Sequence, residues 1–223
     1  MLRALLPFLA TIPLAAAVPD PDPARFAGEI DAFDAQDAKA PPAKGGIVFA
    51  GSSSIRLLDL AKVFPGLEAL NRGFGGAHIS DMNHYLERVL LRYEPSLVVF
   101  YCGTNDVWDK KPPAQVEADF DEFTRRLFER SPEARLIVLA IRPSPARHSI
   151  LAIERAMNAR FRKIAEADPR ITYVAGSADR FIRDDESFDR SLFVEDGLHM
   201  SAKGYAIWKE LLTPLLPPVP DDD

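Results

Sequence analysis

A chain of 223 residues, 47% apolar and 27% charged, is long enough to bury one substantial α/β core and too hydrophobic to be a disordered segment. Its formal charge of −6 lacks the basic footprint of a nucleic-acid binder. The single cysteine, Cys102, excludes an intrachain disulfide and a multi-thiolate metal centre; it lies in an apolar run and reads as a small buried hydrophobe.

In chain order, Arg3 supplies one positive charge, Ala4–Leu14 is apolar, and Ala15-Ala16-Ala17 ends the run with an A-x-A pattern. Residues 1–17 therefore read as a secretory signal peptide, which predicts an exported, periplasmic or secreted protein. No cysteine follows to carry a lipid, and the run is too short to span a bilayer, so no stable membrane anchor is expected. Residues 18–46 comprise a Pro19–Pro23 linker and a helix over Ala24–Lys39, with Phe26, Ile30 and Phe33 at helical spacing and Pro41-Pro42 as its stop. Residues 47–216 form one α/β domain, and 217–223 a frayed acidic tail.

Within that domain Ile47–Ala50 is a buried strand, Gly51–Ser54 a tight turn, and a helix runs on to about Val63. Leu67–Leu70 is a short strand leading into Asn71–Gly76. Asp81 is positioned to N-cap a helix from Met82 to about Tyr93. Leu97–Cys102 is a near-continuous apolar strand of the kind found at the centre of a parallel sheet. Pro112-Pro113 introduces an amphipathic helix carrying Val116, Phe120, Phe123, Leu127 and Phe128. Leu136–Ile141 and Ile171–Val174 are strands flanking a helix over Ile150–Ala167, and Gly176–Phe193 is irregular. A loop, Glu195–His199, precedes a last helix ending near Leu212. Five strands alternating with helices imply a parallel sheet covered on both faces, with ligands beyond the carboxyl ends of its strands.

Four features at those ends carry chemistry. A serine in the Gly51–Ser54 turn sits near a helix N-terminus, where partial positive charge suits a nucleophilic hydroxyl and its oxyanion; equally, Ser52, Ser53 and Ser54 suit plain N-cap positions. Asp196 and His199 are spaced so that the carboxylate can reach one imidazole nitrogen and leave the other as a base, and the same spacing suits a helix entry. Asn105 ends an apolar strand, where an amide must be hydrogen-bonded, as a cleft donor or as a turn residue. Gly76 can present a bare N–H to a ligand or simply make a turn.

Together, in this order, Gly51-Ser52-Ser53-Ser54-Ile55, Asn71–Gly76, Gly103-Thr104-Asn105-Asp106 and Asp196-Gly197-Leu198-His199 make the chain resemble the SGNH hydrolases, or GDSL esterases, in particular their platelet-activating-factor-acetylhydrolase-like branch. The resemblance spans roughly Ile47 to Trp208 and implies a flavodoxin-like three-layer α/β/α sandwich with a five-stranded parallel sheet. It also implies a serine esterase with Ser53 as nucleophile, His199 as base and Asp196 as its orienting partner. The oxyanion hole would be the Ser53 and Gly76 N–H groups and the Asn105 side chain. The chain departs from the family pattern at Ser52 and Ala77, where Asp is frequent, and at Thr104, where Gly is common. Ile55 breaks the G-x-S-x-G elbow of α/β-hydrolases.

Phe74 and Trp108 are candidates for the wall of an acyl pocket, and Arg142, Arg147 and His148, which follow the fourth strand, for the substrate cleft or equally for a solvated loop. No metal or cofactor is expected; His78 and His84 flank Asp81 but make a thin zinc set. The implied substrate is a small-molecule, glycan or lipid acyl ester, with short acyl groups such as acetyl foremost. A lysophospholipase or thioesterase with the same triad is the nearest alternative. A phosphate- or flavin-binding module would explain Gly51–Ser54 but leave Asn105, Asp196 and His199 without a role.

Overall fold

The computed structural model describes residues 17–219; apart from Ala17, the expected signal peptide lies outside the described residues, as do residues 220–223. Five parallel strands, β1 (Ile47–Gly51), β2 (Ala69–Gly73), β3 (Leu97–Tyr101), β4 (Arg135–Leu139) and β5 (Ile171–Val174), lie in the order β2-β1-β3-β4-β5. This is the flavodoxin-like order, in which the chain reverses direction across the sheet between β1 and β3. Gly51 pairs with Tyr101 on one side and with Gly73 on the other, so three strands end level with one another.

Alternation along the strands divides the core in two. Val48, Ala50, Val98, Phe100, Leu136 and Val138 face α1 (Ala27–Lys39), α4 (Ile79–Val89), α6 (Pro113–Arg130) and α7 (Leu151–Ala167). Ile47, Phe49, Val99, Tyr101, Ile137 and Leu139 face the opposite layer, dominated by Tyr205, Trp208 and Leu212 of α9 (Ala202–Leu212). The result is the three-layer α/β/α sandwich that the strand pattern implied. α1 belongs to this core: Ile30 is fully buried, Phe26 meets Phe74 edge-on at 5.0 Å, and Asp37 bonds both Arg72 and Tyr93. Among the described residues no helix is long and apolar enough to cross a membrane.

Three local expectations are corrected. The helix after the serine turn is two short pieces, α2 (Ser53–Arg56) and α3 (Leu60–Val63). The break follows from Asn71, whose Nδ2 donates to Ile55 O (2.7 Å) and Leu58 O (3.0 Å), and from Asp59, which caps α3 by accepting from Lys62 N. β2 begins and ends later than Leu67–Leu70, because polar Asn71 and Arg72 find side-chain partners and so continue the strand. α4 starts at Ile79 rather than Met82; Asp81 lies inside its first turn, where it accepts from His78 N at 2.9 Å and pairs with Arg25. A further short helix, α5 (Thr104–Trp108), follows β3 directly, and α8 (Gly176–Asp179) follows β5.

Candidate active site

Ser53 stands at the first position of α2, immediately beyond β1. Gly51 makes that placement possible: its φ is +146°, and a Cβ there would lie 2.0 Å from Tyr101 O. As the first helical residue, Ser53 has no partner for its N–H within its own turn. Ser52 occupies the N-cap position, yet no serine side chain caps the turn. The Ser53 hydroxyl instead faces His199.

Ser53 Oγ is 2.9 Å from His199 Nε2, and His199 Nδ1 is 2.6 Å from Asp196 Oδ2. Asp196 also accepts from Leu198 N (2.8 Å) and His199 N (2.9 Å) through Oδ1. Partial burial acts to raise the Asp196 carboxyl, but the hydrogen bonds from the His199 ring and from both backbone N–H groups outweigh it and hold the pKa down at about 2. An ionised Asp196 only accepts, so the proton sits on Nδ1 and Nε2 turns its lone pair toward the Ser53 hydroxyl. That arrangement can withdraw a proton from Ser53 and return it to a leaving group.

Asn105 lies in the first turn of α5 and is buried. Its Oδ1 accepts from Arg147 Nη1 at 2.9 Å and its Nδ2 donates to Ala77 O at 3.0 Å. Because arginine only donates, the amide orientation is fixed, and one Nδ2 hydrogen is left over for the cleft. The same bond pins the loop carrying Gly76, whose φ of +79° suits glycine although the space beside it is open. Asp106 secures that loop from the other side by accepting from Ile79 N at 3.1 Å. Its burial raises the carboxyl, against the pull of His78 and Lys111. Thr104, where the family pattern has glycine, uses its hydroxyl on Glu154 Oε1 at 2.9 Å.

The hollow formed by these groups is lined by Ser53, Tyr101, Thr104, Asn105, Arg142, Arg147, Leu198 and His199. Arg142 is thus at the cleft, but buried: its Nη2 donates to Leu198 O at 2.9 Å, and its guanidinium lies over Phe181 and Phe193 at 5.0 and 5.2 Å. It braces the loop that carries His199. Trp108 is 41% exposed and stacks against Arg147 at 5.1 Å, outside the hollow. Phe74 is corrected outright. It is fully buried between Phe26 and Tyr85 in the core and lines no cleft. Arg147, a candidate for the cleft with Arg142, lines the hollow, and His148 does not. Glu154 was not among the expected site residues, and the available signal for it was an acid at position 154 on the apolar stripe of Leu151, Met157 and Phe161. Among the described residues no three His, Cys, Asp or Glu side chains converge as metal ligands.

Residues 56–207 match the model of the GDSL-like Lipase/Acylhydrolase family. The chain belongs to this family. It is an ester hydrolase of the acylhydrolase type, with the α/β fold of its structural neighbours. The match begins at Arg56, beyond Ser53, so the place of that serine rests on its hydrogen bond to His199. Platelet-activating factor acetylhydrolase IB subunit alpha1 of Bos taurus is 28% identical over 169 residues, covering 71% of this chain and 69% of its own. A GDSL-like lipase from Bacteroides thetaiotaomicron superposes with a TM-score of 0.69 at 20% identity, over 87% of this chain and 96% of that one. An acetylxylan esterase from Geobacillus stearothermophilus, as a catalytic mutant, gives 0.60 at 17% identity, over 78% and 94%.

The depressed Asp196 pKa links the site to stability. A carboxyl whose folded pKa lies below its ordinary value stabilises the fold fully above about pH 4, and loses that contribution as pH falls through the folded value. In thermal unfolding from pH 7 to pH 2, the advantage of the parent over Asp196→Asn is expected to shrink below about pH 4. It should remain small throughout, since the half-exposed pair is screened by solvent. An advantage unchanged across the series would refute the assignment.

Proposed function

We propose that the protein is an exported serine esterase that hydrolyses short-chain acyl esters, acetyl esters foremost, through an acyl-enzyme on Ser53. The observation that carries this reading is the hydrogen-bonded line from Ser53 Oγ through His199 to Asp196, with the Asn105 amide beside it.

In this mechanism Ser53 Oγ attacks the ester carbonyl carbon as His199 Nε2 takes its proton. The carbonyl oxygen becomes an oxyanion, met by the Ser53 N–H, the Gly76 N–H and the free Asn105 N–H. Collapse breaks the bond to the alcohol, which leaves with the proton from His199. Water then attacks the acyl-Ser53 ester, His199 takes its proton and returns one to Ser53 Oγ, and the carboxylic acid departs. Asp196 stays ionised and holds the imidazole in one tautomer.

The hollow at Ser53 has a cavity volume of only about 10 Å³, far below the roughly 300–1,000 Å³ usual for drug-sized ligands, which supports a short acyl group. Acetyl is also the group named in the bovine acetylhydrolase and the acetylxylan esterase. A second reading, a lysophospholipase, draws on an apolar groove next to the site lined by Leu57, Val194, Met200 and Tyr205. Two of these residues are one backbone hydrogen bond from the reacting groups, Leu57 N to Ser53 O and Val194 N to His199 O, each at 2.9 Å. Export rests on the sequence of residues 1–17.

Ser53→Ala is expected to abolish hydrolysis of p-nitrophenyl acetate, whereas Ser52→Ala and Ser54→Ala retain much of it. Asn105→Ala should lose roughly 100-fold in kcat with KM little changed, as for one oxyanion donor. Full activity in Ser53→Ala would reassign the nucleophile. On p-nitrophenyl esters of increasing length, kcat/KM should be higher for acetyl and butyryl than for palmitoyl; the reverse order selects the lysophospholipase reading. Intact mass of secreted or periplasmic protein should correspond to a chain starting at Val18, and recovery of the full-length chain in the cytoplasm alone would overturn export.

A further inference from the structure

Under the hollow lies an acid for which the proposed chemistry has no use. Glu154 is fully buried on the inner face of α7, beside Leu151, Met157 and Phe161. Its Oε1 accepts from Thr104 Oγ1 at 2.9 Å, and its Oε2 has no partner. Tyr101, Arg142 and Arg147 are its other polar neighbours, yet neither arginine forms an ion pair with it among the described residues. Burial pushes the carboxyl up to about 7, against the pull of Thr104, Arg142 and Arg147. An acid on an apolar helix face, half satisfied and unpaired, costs stability, so its use lies in what it holds.

What it holds is the residue before Asn105. Thr104 is buried and opens α5, a five-residue helix that no side chain caps. A helix this short has little stability of its own and keeps its direction through tertiary contacts. Arg147 and Ala77 fix the far end of the Asn105 side chain; the Thr104–Glu154 bond fixes the backbone from which that side chain springs. The acceptor serves in either protonation state, because a neutral carboxyl keeps a carbonyl oxygen.

We propose that Glu154 is a positioning residue which, through its hydrogen bond to Thr104, sets the first turn of α5 and thereby the direction in which Asn105 presents its free amide N–H to the oxyanion. The inference rests on the reading of Asn105 as an oxyanion donor. A donor that is misdirected rather than absent weakens the transition state and leaves ground-state binding intact.

The test compares Glu154→Leu, Thr104→Val, their double variant and Glu154→Gln with the parent, by kcat and KM on p-nitrophenyl acetate and by melting temperature on the same preparations. Glu154→Leu and Thr104→Val should each lower kcat about tenfold with KM within about twofold. The double variant should be no slower than either single variant, because both remove one bond. Glu154→Gln, which keeps the acceptor oxygen, should return to within about threefold of the parent. Parental kcat in both single variants, an additive loss in the double, or a Gln variant as slow as the Leu variant would each overturn the proposal. If Glu154→Leu does not fold, Thr104→Val and Glu154→Gln decide by the same criteria. Parental kcat in Asn105→Ala would instead refute the oxyanion reading, and is measured separately.

Discussion

Ser52 N donates to Tyr101 O at 2.9 Å, one residue past the last paired position of β1 and β3. This bond requires the strand ends to approach so closely that Gly51 has no room for a Cβ. It also sets the site's width. The chain leaves β1 into the serine turn and leaves β3 into α5, so Ser53 and Asn105 face one another across the point where the strand order reverses. A sheet of this topology opens its crevice there. Ser53 and Asn105 thus owe their separation to the hydrogen-bond spacing of two central strands rather than to flexible loops.

The segment after β4 then serves both halves of the crevice. Arg142 reaches one way and bonds the backbone of Leu198, next to His199; Arg147 reaches the other way and bonds Asn105. Each guanidinium lies against aromatic rings, Arg142 over Phe181 and Phe193 and Arg147 over Trp108. Such faces offset part of the hydration that a buried cation gives up. Arginine suits both places, since its planar fork can stack and donate at once while keeping its charge. Two arginines five positions apart beyond one strand in this way hold the His199 loop and Asn105, which come from distant parts of the chain.

Much of this was legible in the sequence, and the exceptions have physical causes. Ile47–Ala50 and Leu97–Cys102 announce central strands because burial on both faces removes every polar residue. β2 was harder to read, since Asn71 and Arg72 look like loop residues until their partners, the carbonyls of Ile55 and Leu58 and the carboxylate of Asp37, are known. The break at Leu57 was invisible for the same reason, Asn71 being distant in sequence. Ser53, Asp196 and His199 were singled out by residue type and motif order, and the fold brings them within hydrogen-bonding distance. Phe74 was misplaced because adjacency to a glycine loop says nothing about which side of the sheet a ring enters. Arg147 and Glu154 act on Asn105 and Thr104 from 42 and 50 residues further along the chain, a relation that no local pattern encodes.

The serine and its histidine are drawn from opposite ends of the domain, 146 residues apart, and Tyr205 of α9 donates to Ser54 O across 151. Contacts of such separation require most of the chain to be present before they can form. A nascent chain on the ribosome carries Ser53 long before it carries His199, and during that interval the hydroxyl lacks its hydrogen-bond partner. On the proposed mechanism hydrolysis would require the C-terminal segment to be in place, the segment whose Tyr205, Trp208 and Leu212 cover Phe49, Val99 and Tyr101. On that reading the protein would need no separate inhibitor while it is being made: a chain without His199 lacks the base proposed for Ser53.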